Sequence, residues 1–260
     1  MLYIIFNMLW GLNYDRSGIR SQLMLEQQEY SKEALEEINM LLIDKVNACK
    51  TGSINQKISF PTPADVFKKT YSIYQEASVQ YPFLQYKNKS VKSSFFGTIG
   101  NYLGFSGYYN PFTGEAQVTT TIPVFLQPYV SCHEVAHQLG YAKENEANFV
   151  GYIAATSSGD SLFMYSAYLD IFLYANRNLW RTDSISAKQF SEQLSPEVKK
   201  DVKTMKDFYR RFQNPVEPYF TWAYGKYLQS NRQPSGMLSY SEVIGDIIAY
   251  HKKYGRIGGE

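Results

Sequence analysis

The stretch Cys132–Ala154, CHEVAHQLGYAKENEANFVGYIA, decides the architecture of this 260-residue chain. It holds the pattern His133-Glu134-Val135-Ala136-His137. Residues four apart share one face of an α-helix, so both imidazoles can bind a single metal ion. Zn²⁺ accepts imidazole nitrogen at about 2.0–2.1 Å and, in a catalytic site, takes a third protein ligand and a water molecule. The spacing therefore predicts a zinc cofactor, with Glu134 as the general base that takes a proton from the water.

The third ligand is predicted to be Glu144, which follows His137 by seven residues. If Glu144 begins a second helix, it shares a face with Ala147, Asn148 and Gly151. The small side chains at 147 and 151 would allow this helix to approach the first one closely. Asn148 could then form a hydrogen bond to a ligand histidine and orient it.

Glu146 is the rival third ligand. On one helix it points about 200° away from Glu144, so only one of the two can face the metal. The face of Glu146 is otherwise apolar, which favours Glu144. The turn after Gly140 is short, however, and a later helix start would rotate Glu146 inward. Both acids also suit a solvated first helical turn, where the helix dipole favours negative charge.

Other candidate residues would complete a catalytic site. An oxyanion needs a second electrophile, and we consider Tyr240 and His251, although a position late in the last helix favours a surface role for His251. The loop Phe105–Gly114 could line a cleft or only close turns. The strand Ala116–Ile122 could be an exposed edge that holds an extended substrate, or an ordinary strand.

The composition is that of a globular protein. Hydrophobic residues make up 44% and charged residues 19%, which excludes a disordered or fibrous chain. The net charge of +2 comes without a basic block, so we expect no nucleic-acid partner. Two cysteines form no disulfide framework, although one bridge remains open.

The fold class is predicted to be mainly α, an α+β domain of zincin type with a small sheet among many helices. Helix starts are indicated at Thr62-Pro63, at Ser195-Pro196 and at the capping box Ser239–Glu242. The segment Ser161–Ala175 is too short to span a membrane and predicts a buried helix. We expect one domain over residues 13–260, with a helical lobe to about residue 82, the sheet and active-site helices in 87–158, and the last helices in 160–255.

The amino-terminal segment Met1–Leu12, MLYIIFNMLWGL, is apolar but about half as long as a membrane span requires. It lacks the basic start and cleavage site of a signal peptide. Two interpretations stay open: an amphipathic start packed on the domain, or the remnant of a membrane-proximal anchor.

The Cys132–Ala154 stretch resembles an uncharacterised bacterial family, a domain of unknown function, of membrane-anchored HExxH proteins regarded as zinc metallopeptidases. The resemblance extends to Trp10–Tyr14, Asn110–Ala116, Tyr227–Gln229 and Gly236–Tyr240. It implies that full-length relatives carry transmembrane helices before the Trp-Gly segment. We therefore expect membrane association of the full-length form through a segment missing from this chain, and we expect the chain by itself to be soluble. The resemblance favours the anchor-remnant interpretation of Met1–Leu12.

The second helix is also similar to that of Glu-liganded zinc peptidases, the gluzincins, through Glu144-x-x-Ala147-Asn148. Two features depart from known patterns. The spacing from His137 to Glu144 is shorter than in those relatives, and Lys143 stands where the metzincin signature has its third histidine.

The function expected from these residues is a zinc-dependent metallopeptidase that acts on a peptide or protein substrate. One alternative is a membrane-tethered binding or sensing module with a non-catalytic zinc site. Another is a zinc hydrolase that cleaves a non-peptide amide. The plain alternative is a helix whose two histidines are satisfied without metal. An open metal position facing a cleft would favour catalysis, and a groove flanked by an edge strand would favour a peptide substrate.

Overall fold

Helices form most of the chain in the computed structural model, which describes residues 8–26, 29–55, 59 and 61–259. The side chains of Tyr240 and Ser241 are also outside the description. The α-helices described are α1 (Ile19–Gln22), α2 (Lys32–Asn55), α3 (Pro63–Gln80), α4 (Gly97–Leu103), α5 (Gln127–Gln138), α6 (Glu144–Thr156), α7 (Ser161–Thr182), α8 (Ser184–Glu192), α9 (Pro196–Phe212), α10 (Glu217–Ser230) and α11 (Val243–Tyr254). Short 3-10 helices cover Gly11–Asp15, Pro82–Leu84 and Gly236–Glu242.

Two of the predicted helix starts are confirmed. The Thr62 hydroxyl accepts a hydrogen bond from the Asp65 amide, and Pro63 is the first residue of α3. The Ser195 hydroxyl accepts from the Val198 amide at the start of α9 in the same way. Each side chain satisfies an amide that has no partner within its helix.

The predicted capping box at the last helix is wrong. The Ser239 hydroxyl donates to the Gly236 carbonyl at 2.6 Å, inside the 3-10 segment. The helix α11 begins only at Val243, and its N-cap residue, Glu242, makes no side-chain cap. The Ser239 hydroxyl is therefore engaged in a local hydrogen bond within the 3-10 segment and does not form the cap of α11 that the sequence pattern predicted. The apolar face of α11 is nevertheless buried as expected, through Val243, Ile244, Ile247 and Ile248.

The hydrophobic core centres on α7, which packs along α2 and against α5 and α6. Leu162, Phe163, Leu169 and Phe172 are buried on α7, so Ser161–Ala175 is a core helix as predicted. The Asp160 carboxylate caps its first turn by accepting from two backbone amides. The two cysteines, Cys49 and Cys132, both lie in the described part of the chain and form no disulfide.

A three-stranded sheet stands beside α5, in the order β1 (Val91–Ser93), β3 (Glu115–Val118) and β2 (Gly107–Asn110). Strand β3 pairs in parallel with β1 and antiparallel with β2. Of the two interpretations of Ala116–Ile122, the exposed edge strand is wrong and the ordinary strand is confirmed, because β3 is central. The strand is shorter than expected and ends at Val118. The Gln127 side chain holds the following carbonyls of Thr120 and Ile122 in a loop.

The amino-terminal segment packs on the domain where it is described. Trp10 and Tyr14 are buried and form a small apolar cluster with Ala142, beside Tyr109. Met8 is 73% exposed, and residues 1–7 lie outside the described residues. No helix in the described part of the chain combines the length and the hydrophobicity that crossing a membrane would require.

Candidate metal centre

Two helices joined by a tight turn bring the predicted ligands together. The motif residues His133 and His137 lie on α5, and Glu144 is the first residue of α6. Gly140 turns the chain between them with φ +95°, a left-handed conformation that glycine adopts without strain. The predicted close approach of the helices is confirmed, because a Cβ at Gly151 would lie 2.9 Å from the His133 backbone nitrogen.

The three side chains are positioned to hold a metal ion. One ligand atom from each of His133, His137 and Glu144 lies within 4.8 Å of the other two. The Nε2 atoms of both histidines are 3.4 Å from the Glu144 Oε2 atom. Ligands of a tetrahedral Zn²⁺ at about 2.0–2.1 Å stand roughly 3.3 Å apart. Two of the three separations therefore match a tetrahedral site.

Glu146, the rival ligand, points elsewhere. Its carboxylate lies against Gly18 and is 3.4 Å from the Lys143 ammonium nitrogen. Glu144 is thus the acid that α6 brings to the two histidines.

Neighbouring groups fix the orientation of these side chains. The Nδ1 atom of His137 is 2.8 Å from the Tyr141 carbonyl oxygen. A carbonyl only accepts, so Nδ1 carries the proton and Nε2 keeps its lone pair for a metal. The Tyr224 hydroxyl donates to the Glu144 Oε1 atom at 2.9 Å, and the Glu144 amide donates to Gln233 Oε1 at 2.9 Å.

Asn148 is buried next to His133 on the facing helix. The Tyr129 hydroxyl donates to its main-chain oxygen at 3.0 Å. The Nδ1 atom of His133 is buried without a hydrogen bond of ordinary geometry to any described residue. The predicted bond from Asn148 to a ligand histidine therefore stays a prediction.

Burial and mutual charge set the protonation of the cluster. Burial lowers the pKa of His133, which Glu144 opposes. Burial also lowers the pKa of His137, but the Glu144 carboxylate outweighs it and raises that pKa to about 9. Burial alone would raise the pKa of Glu144, yet the two histidines hold it well below its usual range. At neutral pH and without a metal, the ionised Glu144 carboxylate thus faces a protonated His137 and a neutral His133, and a bound metal would take the place of the proton on His137 Nε2.

The donor set fits a zinc ion. Glu144 Oε2 is buried and has no hydrogen-bond partner among the described residues, although it faces two imidazole nitrogens. Leaving such an oxygen without a partner costs about 1–3 kcal/mol or more. A cation held between the three atoms would satisfy it, and two imidazoles with one carboxylate are a ligand set typical of Zn²⁺.

Glu134 faces the cleft in front of this cluster. A Cβ at Gly107 on β2 would lie 2.5 Å from the Glu134 Oε1 atom, so glycine gives the carboxylate its space. Burial raises the pKa of Glu134 to about 8. Its Oε2 atom forms no hydrogen bond to the described residues.

The cleft encloses about 370 Å³ and opens to solvent. Its walls come from distant segments and are mostly aromatic. They comprise Trp10, Tyr14, Gly107, Tyr108, Tyr109, Pro111, Ala142, Tyr224 and Tyr227, around His133, Glu134, His137 and Glu144. Of the two interpretations of Phe105–Gly114, the cleft-lining one is confirmed for Gly107–Tyr109 and Pro111, although Gly107–Asn110 is a strand and not a loop.

The two oxyanion candidates fare differently. The Tyr240 side chain lies outside the described residues. His251 Nε2 is 3.3 Å from the Glu37 carboxylate, and His251 is not among the residues that line the cleft, so the structure does not bring it to the site. Sequence reasoning missed Tyr224 and Gln233 as site residues, and it included Gly107 only as part of the candidate segment Phe105–Gly114. Trp10–Tyr14 and Tyr227 were noted only as parts of the family resemblance, not as cleft walls.

The fold and the cluster define a mainly helical protein with a three-residue site suited to a metal ion. A sequence model for a protein of unknown function, DUF3810, matches residues 1–248, and the chain belongs to that family. No curated protein and no solved structure shows a significant match to the chain.

Proposed function

We propose that this protein is a zinc-dependent peptidase. His133, His137 and Glu144 would bind the metal, and Glu134 would be the general base. The observation that carries the proposal is that three ligand atoms converge in the lining of an open cleft. The Glu134 carboxylate, which comes from the same helix as the two histidines, lines that cleft beside them. A zinc site with three protein ligands leaves a position for water and substrate, which is the arrangement of catalytic sites.

The residues divide the chemistry between them. A bound Zn²⁺ would polarise the scissile carbonyl and lower the pKa of an attacking water. Glu134 would accept a proton as the water oxygen attacks the carbonyl carbon. It would then deliver that proton to the leaving nitrogen as the carbon–nitrogen bond breaks. Tyr224 and the Tyr141 carbonyl would hold Glu144 and His137 in place meanwhile.

The strand β2 offers a way to hold a peptide. Among the described strands it pairs only with β3, so its other edge has no strand partner there. Gly107, Tyr108 and Tyr109 of β2 line that cleft. An extended substrate could add to this edge through main-chain hydrogen bonds. This feature favours a peptide over a small non-peptide amide, which would suit a closed pocket.

The test combines metal analysis with one substitution. The purified protein should contain one equivalent of zinc, which a chelator removes and added zinc restores. Glu134→Gln should keep the metal and reduce peptide hydrolysis by about 10²- to 10⁴-fold, the usual contribution of a general base. Glu146→Gln, on the same helix pair but away from the ligands, should retain both zinc and activity.

Two results would contradict the proposal. One is a protein that takes up no transition metal even when zinc is offered. The other is a Glu134→Gln variant that hydrolyses peptides as fast as the unaltered protein. Zinc uptake without hydrolysis of any peptide would instead favour a binding or sensing module.

We also propose that the chain, expected from its sequence to be soluble by itself, binds a membrane surface peripherally through its amino-terminal segment. The apolar sequence Met1–Leu12 supports this, as do the exposed side chains of Met8, Leu9 and Leu12 next to the buried Trp10. The protein should float with phosphatidylcholine vesicles, and Met8→Ser combined with Leu12→Ser should reduce that fraction. Equal flotation of both proteins would argue against it.

A further inference from the structure

We infer that the cleft selects peptides with a large aromatic side chain next to the scissile bond, and that the ring of Tyr227 contacts this side chain and confers the selectivity. This inference deepens the proposed function and rests on it. It names the class of substrate that the walls of the metal cleft would accept.

A row of nearly parallel rings on α10 contributes two of its members, Tyr224 and Tyr227, to the cleft wall. The rings of Phe220 and Tyr224 are 6.3 Å apart and only 2° from parallel, and those of Tyr224 and Tyr227 are 5.8 Å apart and 18° from parallel. The middle ring, Tyr224, donates a hydrogen bond to the carboxylate of the ligand Glu144. The last ring, Tyr227, is 36% exposed and lines the cleft.

A second group of rings faces the site from the amino-terminal segment and β2. The ring of Trp10 lies 4.5 Å from that of Tyr109 and 6.1 Å from the His137 imidazole. The Tyr14 hydroxyl is 3.5 Å from the Tyr227 hydroxyl, which connects this group to the α10 row. A side chain beside the metal would therefore lie between aromatic surfaces.

Aromatic rings attract one another by stacking and edge contacts, beyond the gain from burying apolar area. The acidic and basic side chains that line the cleft are those of the three metal ligands and Glu134, and the rest of the lining is mostly aromatic. A charged side chain at this position would lose its hydration among the rings. An aromatic chain would meet rings on either side, and the geometry favours it.

The first experiment measures binding apart from catalysis. N-acetylated amino-acid hydroxamates of Phe, Ala and Asp are titrated into zinc-loaded Glu134→Gln protein, followed by calorimetry. All three share the metal-binding group, so their differences report the side-chain site. We expect the Phe hydroxamate to bind at least about 10-fold more tightly than the Ala one, as burial of a phenyl ring predicts, and more tightly than the Asp one, whose carboxylate would lose its hydration among the rings.

The second experiment assigns the selectivity to Tyr227. Tyr227→Ala should reduce the Phe-over-Ala ratio by about 2- to 12-fold, the size of one aromatic contact. Tyr227→Phe keeps the ring and should restore the ratio. The matched control is Tyr219→Ala, because Tyr219 is on the same helix, 75% exposed and not part of the cleft lining. Zinc content and thermal midpoint of each variant show whether the fold is retained.

Hydrolysis of matched peptides by the unaltered protein separates this inference from the proposed function. If peptides are cleaved with no preference for an aromatic residue, the aromatic site is wrong and the peptidase stands. If no peptide is cleaved but the Phe hydroxamate still binds best, the peptidase is wrong and the aromatic site stands. If the hydroxamates bind equally or not at all, or if Tyr219→Ala lowers the ratio as much as Tyr227→Ala, the inference is overturned.

Discussion

Gly151 on α6 lies against the backbone of His133 on α5, where an added Cβ would be 2.9 Å from the His133 nitrogen and 3.0 Å from its Cα. The atoms nearest to this position all belong to the main chain of α5, so no side chain can rotate away to make room for a Cβ. The closeness of the two helices is what brings the first residue of α6, Glu144, to the ligand histidines.

Gly151→Ala should therefore push the helices apart. We expect it to lower the free energy of unfolding by about 1–3 kcal/mol, the usual cost of overpacking, and to weaken zinc retention. The matched control is Gly52→Ala in α2, where an added Cβ meets nothing within 4 Å. That change should stabilise the protein by about 0.5–1 kcal/mol, because alanine favours helix over glycine. Urea denaturation and zinc competition measure both, and equal behaviour of the two variants would contradict the packing argument.

The third ligand can be tested with the two acids of α6. Glu144→Ala should reduce zinc affinity strongly, since its carboxylate oxygen lies 3.4 Å from both imidazole Nε2 atoms. Glu146→Ala should leave zinc affinity nearly unchanged, since its carboxylate contacts Gly18 and Lys143. Competition with a chromophoric chelator gives both affinities. A larger loss for Glu146→Ala would reverse the assignment.

The metal cluster could be predicted because its information is local. The spacing of His133 and His137 needs only the helical repeat, and the small residues on the face of Glu144 needed only the same repeat in α6. Gly140 likewise marked the turn between the helices. Each of these signals lies within Cys132–Ala154.

The walls of the cleft could not be predicted in this way, because they come from contacts between distant segments. Tyr224 forms a hydrogen bond to Glu144, which is 80 residues away in the sequence, and Gly107 of β2 lies against Glu134 of α5. The order of the strands, which makes β2 and not β3 the edge, also depends on pairing that no local pattern determines. Closely spaced glycines favour a loop by local pattern, but Gly97 and Gly100 are helical in α4, and Gly104 ends that helix with φ +80°.

A further prediction concerns the space that Gly107 gives to Glu134. An added Cβ would lie 2.5 Å from Oε1 and 2.8 Å from Cγ of Glu134, so the whole carboxylate must move. Gly107→Ala should keep zinc and reduce peptide hydrolysis by about 10-fold or more, because misplaced catalytic groups lose rate steeply. Gly97→Ala is the control, since its Cβ meets only ordinary contacts at 3.6 Å and beyond. Full activity in Gly107→Ala would show that the position of Glu134 is not critical.

The last prediction is a pH dependence of stability that arises away from the metal. Asp170 is the one charged residue in Ser161–Ala175 of the core helix α7. Burial raises the pKa of Asp170 to about 7, although Arg177 opposes the shift. An unfolded aspartate has a pKa of about 3.9. The folded protein thus binds this proton more tightly, and the resulting stability is complete below about pH 4 and is lost as the pH rises through 7.

Asp170→Asn removes this titration while keeping the size of the side chain. The free energy of unfolding of the variant, relative to the unaltered protein, should rise by about 1–3 kcal/mol between pH 4 and pH 8, since solvent at the partly exposed carboxylate reduces the full linkage effect. Asp183→Asn provides the contrast, a difference from the unaltered protein that should stay constant between pH 4 and pH 8. A hydrogen bond from Lys32 lowers the pKa of Asp183, so its contribution is present above about pH 4 and is lost only in stronger acid. Urea denaturation between pH 4 and pH 8 measures both variants. A difference between Asp170→Asn and the unaltered protein that stays constant with pH would show that Asp170 is ionised in the folded protein throughout.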